Sequence, residues 1–386
     1  MRLNEPWLDA DATRTVLGLL TEAGHQAWIV GGAVRDALLG REVHDLDIST
    51  DAEPRRVMSL AEAAGLHVVP TGIDHGTVTV IVGATPFEVT TFRRDVETDG
   101  RRAVVAFADS LEEDARRRDF TLNALYCAPD GEVRDPTGGL ADLEARQIRF
   151  IGTPAERIRE DYLRILRFFR FHAFFGGDGI DPEGLAACAA EQEGIDRLSR
   201  ERVGGEFFRL LEAPDPAPAV ATMERSGILA RVLPGAHGGT LAPLVHVEAR
   251  LGLGPDPIRR LAALGGTDEM TALRLSRANA RALSDLRAAL VSDDPAAALG
   301  YRYGQDTARS VLALRAAVTG QEPDPDAGKT VDFGASQQLP VEARDLMPAY
   351  EGPALGARLA ELETAWIASG FTLDREALLN FPPATG

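Results

Sequence analysis

The stretch His44-Asp45-Leu46-Asp47-Ile48, which follows closely on Val30-Gly31-Gly32-Ala33-Val34-Arg35-Asp36, decides how the first part of the chain is read. Side chains at i and i+2 of a strand share a face, so a strand through 45–49 would present Asp45 and Asp47 on one side. Two such carboxylates can grip a hard cation. Mg2+ held by a few carboxylates together with substrate phosphates is the usual arrangement at phosphoryl-transfer sites. The pair points to nucleotidyl transfer, with Asp45 and Asp47 as metal ligands. Taken alone, acidic pairs of this kind more often lie in turns or cap helices, and it is the upstream glycines that sharpen the reading.

Working back from the acidic pair, Gln26-Ala27-Trp28-Ile29-Val30 is short, apolar and partly β-branched, the pattern of a buried strand ending at Gly31-Gly32. The residues after the glycines read as a helix over 34–39, stopped by Gly40. A strand feeding a glycine turn and then a helix lets backbone N–H groups approach a triphosphate closely, which makes Gly32 and Arg35 nucleotide-binding candidates. Two glycines on their own mark no more than a tight turn.

At 386 residues the chain exceeds the usual single-core limit, so two or more domains are expected. The N-terminus is acidic and polar, and arginines interrupt the most apolar helical stretch, at 164–175. Neither a signal peptide nor a membrane span is indicated, and a cytoplasmic protein is expected. The two cysteines, Cys127 and Cys188, sit in apolar or alanine-rich segments and read as buried thiols. A formal charge of -18 argues at face value against a nucleic-acid partner. Distribution matters more than the sum, because Arg149, Arg157, Arg159, Arg164, Arg167 and Arg170 crowd one segment while acidic Pro-rich stretches fall in the C-terminal third. Lys329 is the only lysine, so arginine usage reflects overall composition as well as function.

Along the chain, an amphipathic helix near 11–23 precedes strands around 26–30, 45–49, 66–69, 76–82 and 86–92, with a helix over 54–64. Residues 93–102 lack an apolar period and contain an Asp-Gly turn, which reads as an exposed loop. From 154 onward strand signals nearly vanish and helical periods follow one another, broken at 212–218, 234–240 and 320–328. The expected organisation is an α/β head over about the first 148 residues followed by a long all-helical body.

Two further strings carry chemistry. Arg116-Arg117-Arg118-Asp119-Phe120-Thr121-Leu122-Asn123-Ala124 reads either as a solvated basic turn or as a guanidinium aimed at nucleotide phosphate or sugar. Arg118 is then the candidate, with Asp119 expected to hold it in place. Glu160-Asp161-Tyr162-Leu163-Arg164-Ile165-Leu166-Arg167-Phe168-Phe169-Arg170 reads as one helix, with Asp161 and Arg164 as i,i+3 neighbours and Arg167 and Arg170 continuing the ridge. An internal ion pair is the ordinary reading. The functional one is base selection: cytosine and adenine each pair an exocyclic amine with a ring-nitrogen acceptor, which an aspartate beside an arginine complements. Guanine and uracil invert that pattern. Glu88, on an expected strand, is as readily an ordinary strand residue as a third acidic group near the metals.

The chain resembles the class II tRNA nucleotidyltransferases, the CCA-adding enzymes, and their relatives the bacterial poly(A) polymerases. The likeness runs in order from Trp28 to about Glu206. The Gly31-Gly32 and Asp45-Leu46-Asp47 strings resemble the family's metal and triphosphate motif, and Arg117-Arg118-Asp119 with Asn123 its ribose-discriminating motif. Asp135-Pro136-Thr137-Gly138-Gly139-Leu140-Ala141-Asp142-Leu143 resembles the hinge between head and neck. Glu160-Asp161 with Arg164 and Arg167 resembles the protein template that selects C and A, and Ser199-Arg200-Glu201-Arg202 with Glu206 the motif bracing it.

The resemblance implies an α+β chain: a polymerase β-like nucleotidyltransferase head over 1–148, then an all-helical neck over 149–234 and an all-helical body and tail over 235–386. It implies CTP and ATP as substrates, tRNA as partner, Mg2+ as cofactor, and catalytic Asp45 and Asp47. Gly32, Arg35, Arg118, Asp161, Arg164, Arg167 and Arg170 would bind or read the nucleotide. By position, 93–102 is similar to the family's flexible loop, whose presence speaks against CC-only addition, and Thr71-Gly72-Ile73-Asp74-His75-Gly76-Thr77-Val78-Thr79-Val80 is similar to the CCA-adding branch. The rivals are a poly(A) polymerase or A-only-adding enzyme, a non-catalytic RNA-binding protein, and a small-molecule nucleotidyltransferase.

Overall fold

Short apolar runs rich in β-branched residues form the strands of a mixed sheet in a computed structural model that describes residues 1–98, 103–322 and 324–383. The chain divides into two compact units, Met1–Val232 and Leu233–Gly386.

The strands of the first unit are β1 (Ala27–Val30), β2 (Asp47–Thr50), β3 (His67–Gly72), β4 (Thr77–Val82), β5 (Thr85–Thr91), β6 (Arg93–Thr98), β7 (Ala103–Phe107), β8 (Tyr126–Cys127) and β9 (Val133–Arg134). Seven of them make one sheet in the order β3-β4-β5-β2-β1-β8-β9. Within it β2 runs parallel to β5, and the other neighbours are antiparallel. The parallel pair sets Asp47 beside Glu88 and Ser49 beside Thr90.

Three expectations are corrected here. The strand expected over 45–49 begins only at Asp47, so Asp45 lies in the irregular segment ahead of it. The segment expected as an exposed loop contributes β6, paired antiparallel with β7 and joined in register at Arg93↔Phe107. Backbone pairing needs no apolar period on either face, which is why composition alone missed it. Arg101 and Arg102 lie outside the described residues.

The helices of this unit are α1 (Pro6–Asp9), α2 (Asp11–Thr21), α3 (Gly32–Leu38), α4 (Pro54–Ala63), α5 (Leu111–Arg116), α6 (Gly139–Glu144), α7 (Pro154–Glu160), α8 (Leu163–Phe175), α9 (Pro182–Ala190), α10 (Arg200–Leu211), α11 (Ala217–Arg225) and α12 (Ile228–Val232). The third correction concerns α7 and α8, which had been expected as one helix through Asp161. Asp161 instead adopts extended φ/ψ of -153° and 104°, and its carboxylate accepts the N–H of Leu163 at 3.1 Å. An aspartate that caps the following turn competes with helix continuation.

An aromatic stack joins α8 to the sheet region. Phe150 and Phe168 stack with ring centroids 5.4 Å apart, and Phe120 lies 4.9 Å from Phe150 and 5.3 Å from Phe171. Phe120 and Phe168 are fully buried. Clustered rings of this kind contribute roughly 0.5–1.5 kcal/mol per pair beyond area burial. They fix α8 against the segment carrying Arg118 and Asp119.

The second unit is helical throughout its described regular structure, from Leu241–Leu251 to Arg375–Leu379. Its interior holds Glu248 between two buried guanidiniums, Arg259 at 2.8 Å and Arg260 at 2.8 Å. A second apolar cluster packs Trp366 and Leu362 with Tyr301 and Phe371 near the C-terminus. Among the described residues no helix is long and apolar enough to cross a membrane. Cys127 and Cys188 are buried free thiols.

Candidate active site

A cleft of about 540 Å3 opens in the first unit where β2, the Gly31-Gly32 turn and α8 converge. Gly31 makes the turn with φ 72° and ψ -118°, a conformation that only glycine adopts without strain. A Cβ placed on it would lie 3.6 Å from Nη1 of Arg118. The turn therefore brings main chain directly against the guanidinium.

One wall carries carboxylates. Asp47 and Glu88 both line the cleft from neighbouring strands, and Asp45 stands just ahead of β2, outside the lining. Among the described residues none of the three accepts a side-chain hydrogen bond or makes an ion pair. Asp47 keeps an exposed surface at the cleft, yet the surrounding protein withdraws its carboxyl from bulk water and raises its pKa. Glu88 adds to that rise, Arg118 opposes it, and Asp45 adds again. Like charges gathered without a protein cation in contact fit a divalent cation, which binds oxygen donors of this kind. Among the described residues no group of three acidic, His or Cys side chains stands preformed in metal-ligating geometry.

The opposite wall is basic. Arg35, Arg93, Arg117, Arg118, Arg164, Arg167 and Arg202 line the cleft against Asp47, Glu88, Asp119 and Asp161. An acidic chain thus holds a locally positive pocket, suited to a polyphosphate.

The arginines are held by partners that sequence spacing does not always reveal. Arg35 donates from Nη1 to Asn123 at 2.8 Å and from Nε to Asp36 at 2.9 Å, and its guanidinium lies 4.0 Å from the Phe175 ring centroid. Arg118 was expected to be held by Asp119. It is held instead by Asp114, at 3.0 Å from Nη2, and by the hydroxyls of Tyr126 and Ser49. Asp119 reaches across to α8, accepting from Nε of Arg167 at 2.7 Å and from the amide of Asn123 at 2.9 Å. Burial pushes the Asp119 carboxyl up, and the Arg167 charge with these hydrogen bonds holds it below the usual carboxylate range.

Asp161 and Arg164 both line the cleft but do not pair with each other. Asp161 accepts from Arg202 of α10 at 2.7 Å. Arg164 donates to Glu160 and to the carbonyl of Arg157, each at 2.5 Å. The break at Asp161 removes the helical spacing on which the expected i,i+3 pair depended. Arg170, expected to contact nucleotide, is not among the lining residues; its Nε donates to Glu206 of α10 at 2.7 Å.

Two residues that sequence reasoning passed over hold the basic wall together. Asp114 sits three and four residues before Arg117 and Arg118, a helical spacing that could have found it. Arg157 donates from Nη2 to the carbonyls of Arg117 and Arg118, a contact across about forty residues that leaves no local signal.

Residues 27–149 match the family model described as the poly A polymerase head domain, and residues 179–238 match that of the probable RNA and SrmB-binding site of polymerase A. The CCA-adding enzyme of Levilactobacillus brevis is 33% identical over 394 residues, covering 96% of this chain and 96% of that protein. The chain belongs to the class II CCA-adding enzymes. The mouse mitochondrial CCA tRNA nucleotidyltransferase 1 is 30% identical over 99% of this chain and 92% of its own. The crystal structure of the Bacillus stearothermophilus CCA-adding enzyme in complex with CTP superposes with a TM-score of 0.76 at 28% identity, covering 95% of this chain and 94% of that one. CCA-adding enzymes generally use divalent metal ions.

Proposed function

We propose that this enzyme adds C, C and A to the 3' end of tRNA from CTP and ATP, with the cleft of the first unit as its active site. In each step the terminal 3'-hydroxyl oxygen forms a bond to the α-phosphorus, the α–β anhydride breaks, and pyrophosphate leaves. No side-chain nucleophile is needed. Asp45 and Asp47, with Glu88 beside them, would hold Mg2+. When bound, the cation supplies Lewis-acid charge that lowers the pKa of the attacking hydroxyl and stabilises the leaving pyrophosphate.

The chain's own groups orient the substrate. Gly32 lets the main chain approach the triphosphate, Arg35 and Arg118 fix phosphate and ribose, and Asp161 with Arg164 reads the base. An ionised carboxylate has about four acceptor positions, so Asp161 can keep Leu163 and Arg202 and still accept an exocyclic amine. Arg167 contacts phosphate or supports the template, and Arg170 supports it through Glu206. The cytoplasm is the expected compartment. In this reading residues 1–148 are the head, 149–234 the neck, and 235–386 a body and tail that binds tRNA mainly by shape and backbone.

The observation that carries the reading is the meeting of three features in one cleft: the Gly31 turn, Asp47 beside Glu88 in register, and Asp161 and Arg164 in the same lining. The test is incubation with tRNAs lacking CCA, CA or A, given each nucleotide singly and in pairs, with product length read on a gel. Addition of exactly the missing nucleotides is expected. Extension by A alone, on every tRNA, would favour a poly(A) polymerase or A-only enzyme instead.

A further inference from the structure

We propose that Asp114 is a positioning residue that holds the Nε/Nη2 edge of Arg118, ties that edge to the foot of the β6–β7 hairpin, and so presents Nη1 to a ribonucleoside triphosphate. The proposal rests on the reading above in which Arg118 contacts the nucleotide.

Asp114 lies in α5, whose N-terminus is capped by the Ser110 hydroxyl, and its side chain is fully buried. Oδ2 accepts from Nη2 of Arg118 at 3.0 Å and from the Tyr126 hydroxyl at 2.9 Å. The same hydroxyl accepts from Nε of Arg118 at 3.1 Å, and Ser49 Oγ accepts from Nη2 at 3.2 Å. Nε and Nη2 are therefore committed. Nη1 donates to no protein atom among the described residues and is the nitrogen that faces Gly31 in the cleft. A guanidinium fixed along one edge, with its remaining nitrogen free, is pre-oriented for an anionic or hydroxyl acceptor.

Oδ1 of Asp114 serves two other groups. It accepts from Nε of Arg117, a second cleft arginine, at 2.8 Å, and from the backbone N–H of Arg93 at 3.3 Å. Arg93 is the first residue of β6. One buried carboxylate thus joins two cleft arginines to the hairpin foot. Burial pushes this carboxyl up, but Arg118 and Arg117 outweigh it and hold the group well below the usual carboxylate range.

The test compares Asp114→Asn, Tyr126→Phe, Arg118→Ala and the Asp114→Asn/Arg118→Ala double variant of the full chain on a tRNA lacking CCA. Asp114→Asn keeps the shape and removes the charge. The expected result is a rise in KM for CTP and ATP of about tenfold with kcat little changed, the size of one lost charge-assisted hydrogen bond. Tyr126→Phe, which keeps the ring in the core, moves KM the same way by less and serves as the readout if Asp114→Asn does not fold. In the Arg118→Ala background Asp114→Asn raises KM much less than it does with Arg118 present, the remainder coming from Arg117.

A merely structural role predicts a lower melting temperature and a smaller active fraction at unchanged KM, in both Asp114→Asn and Tyr126→Phe, and would overturn the proposal. Full additivity in the double variant would do the same. If Arg118→Ala itself leaves KM unchanged, the nucleotide reading of Arg118 fails, and that outcome is distinct from the other two.

Discussion

Asp47 and Glu88 lie in register on two parallel strands, and among the described residues no protein cation makes an ion pair with either. Carboxylates so placed repel one another, a cost that a bound divalent cation would relieve. Asp45→Ala or Asp47→Ala should therefore abolish transfer while leaving fold and tRNA binding intact, because each replaces an exposed side chain outside the core. Near-normal turnover by either variant at physiological Mg2+ would refute the metal assignment. Asp161 offers a second test at this scale. Asp161→Ala removes the acceptor assigned to the exocyclic amine of C and A, so uracil should gain on cytosine by roughly ten- to a hundredfold, about 1–3 kcal/mol. Single-turnover rates for the four nucleotides on one tRNA check this. A uniform fall with an unaltered CTP-over-UTP preference would mean that Asp161 serves only to join α7 to α8 and to anchor Arg202.

Between elements, two close approaches leave room for no side chain, one beside the break between α7 and α8 and one between α6 and the segment of Thr121. A Cβ on Gly194 would lie 1.8 Å from the Tyr162 ring, so only glycine allows Tyr162 to fill the break between α7 and α8. Gly139, at the start of α6, is tighter against main chain: a Cβ there would sit 2.2 Å from the carbonyl oxygen of Thr121. Asp135 accepts the N–H groups of Gly139 and Leu140 at 2.8 and 2.9 Å, and Asp142 accepts from the Thr121 hydroxyl at 2.7 Å. The segment of Thr121 also carries Asn123, the partner of both Arg35 and Asp119. Gly139→Ala should thus cost about 1–3 kcal/mol by overpacking. Urea unfolding followed by circular dichroism would read it as a lower midpoint at unchanged slope. An unchanged midpoint would show that α6 can move away from Thr121 without loss.

Over the whole molecule, a formal charge of -18 coexists with a cleft in which arginines outnumber carboxylates. Each phosphate neutralised by a basic side chain contributes about -0.7 to -0.9 to the slope of log K against log salt. Among the described residues the cleft arginines Arg35, Arg117, Arg118, Arg164, Arg167 and Arg202 are already paired with protein carboxylates, which limits the counterions they can release from RNA. The tRNA-binding slope should be shallow, about -2 to -4, whereas a protein binding through a broad basic face would be much steeper. Filter binding across a salt series measures it. A slope near -8 would place the main tRNA contact on a basic surface that pairing within the protein does not suggest.

Local order was written in the sequence. The strand–glycine–helix succession at 27–38, the alternation that became β4 and the helical stretches after 154 follow from side-chain periodicity and from the conformational freedom of glycine, both properties of neighbouring residues. Part of the cleft was legible for the same reason, since Gly32, Arg35, Asp47, Arg118, Asp161, Arg164 and Arg167 fall in short strings, whereas Ser49, Thr90 and Phe171 were not singled out and Asp45 and Arg170 fall outside the lining. The partners of the cleft residues were not legible. Asp119 meets Arg167 rather than Arg118, Asp161 meets Arg202 rather than Arg164, and Arg35 meets Asn123, pairs separated by 48, 41 and 88 residues. Periodicity says which face a side chain occupies, but not which distant face packs against it. That choice was made by the burial of Phe120, Phe150 and Phe168 and by the parallel register of β2 on β5, which exist only in the assembled core. The sequence by itself determined the kinds of groups this enzyme brings to its chemistry, and tertiary packing alone decided which charge restrains which.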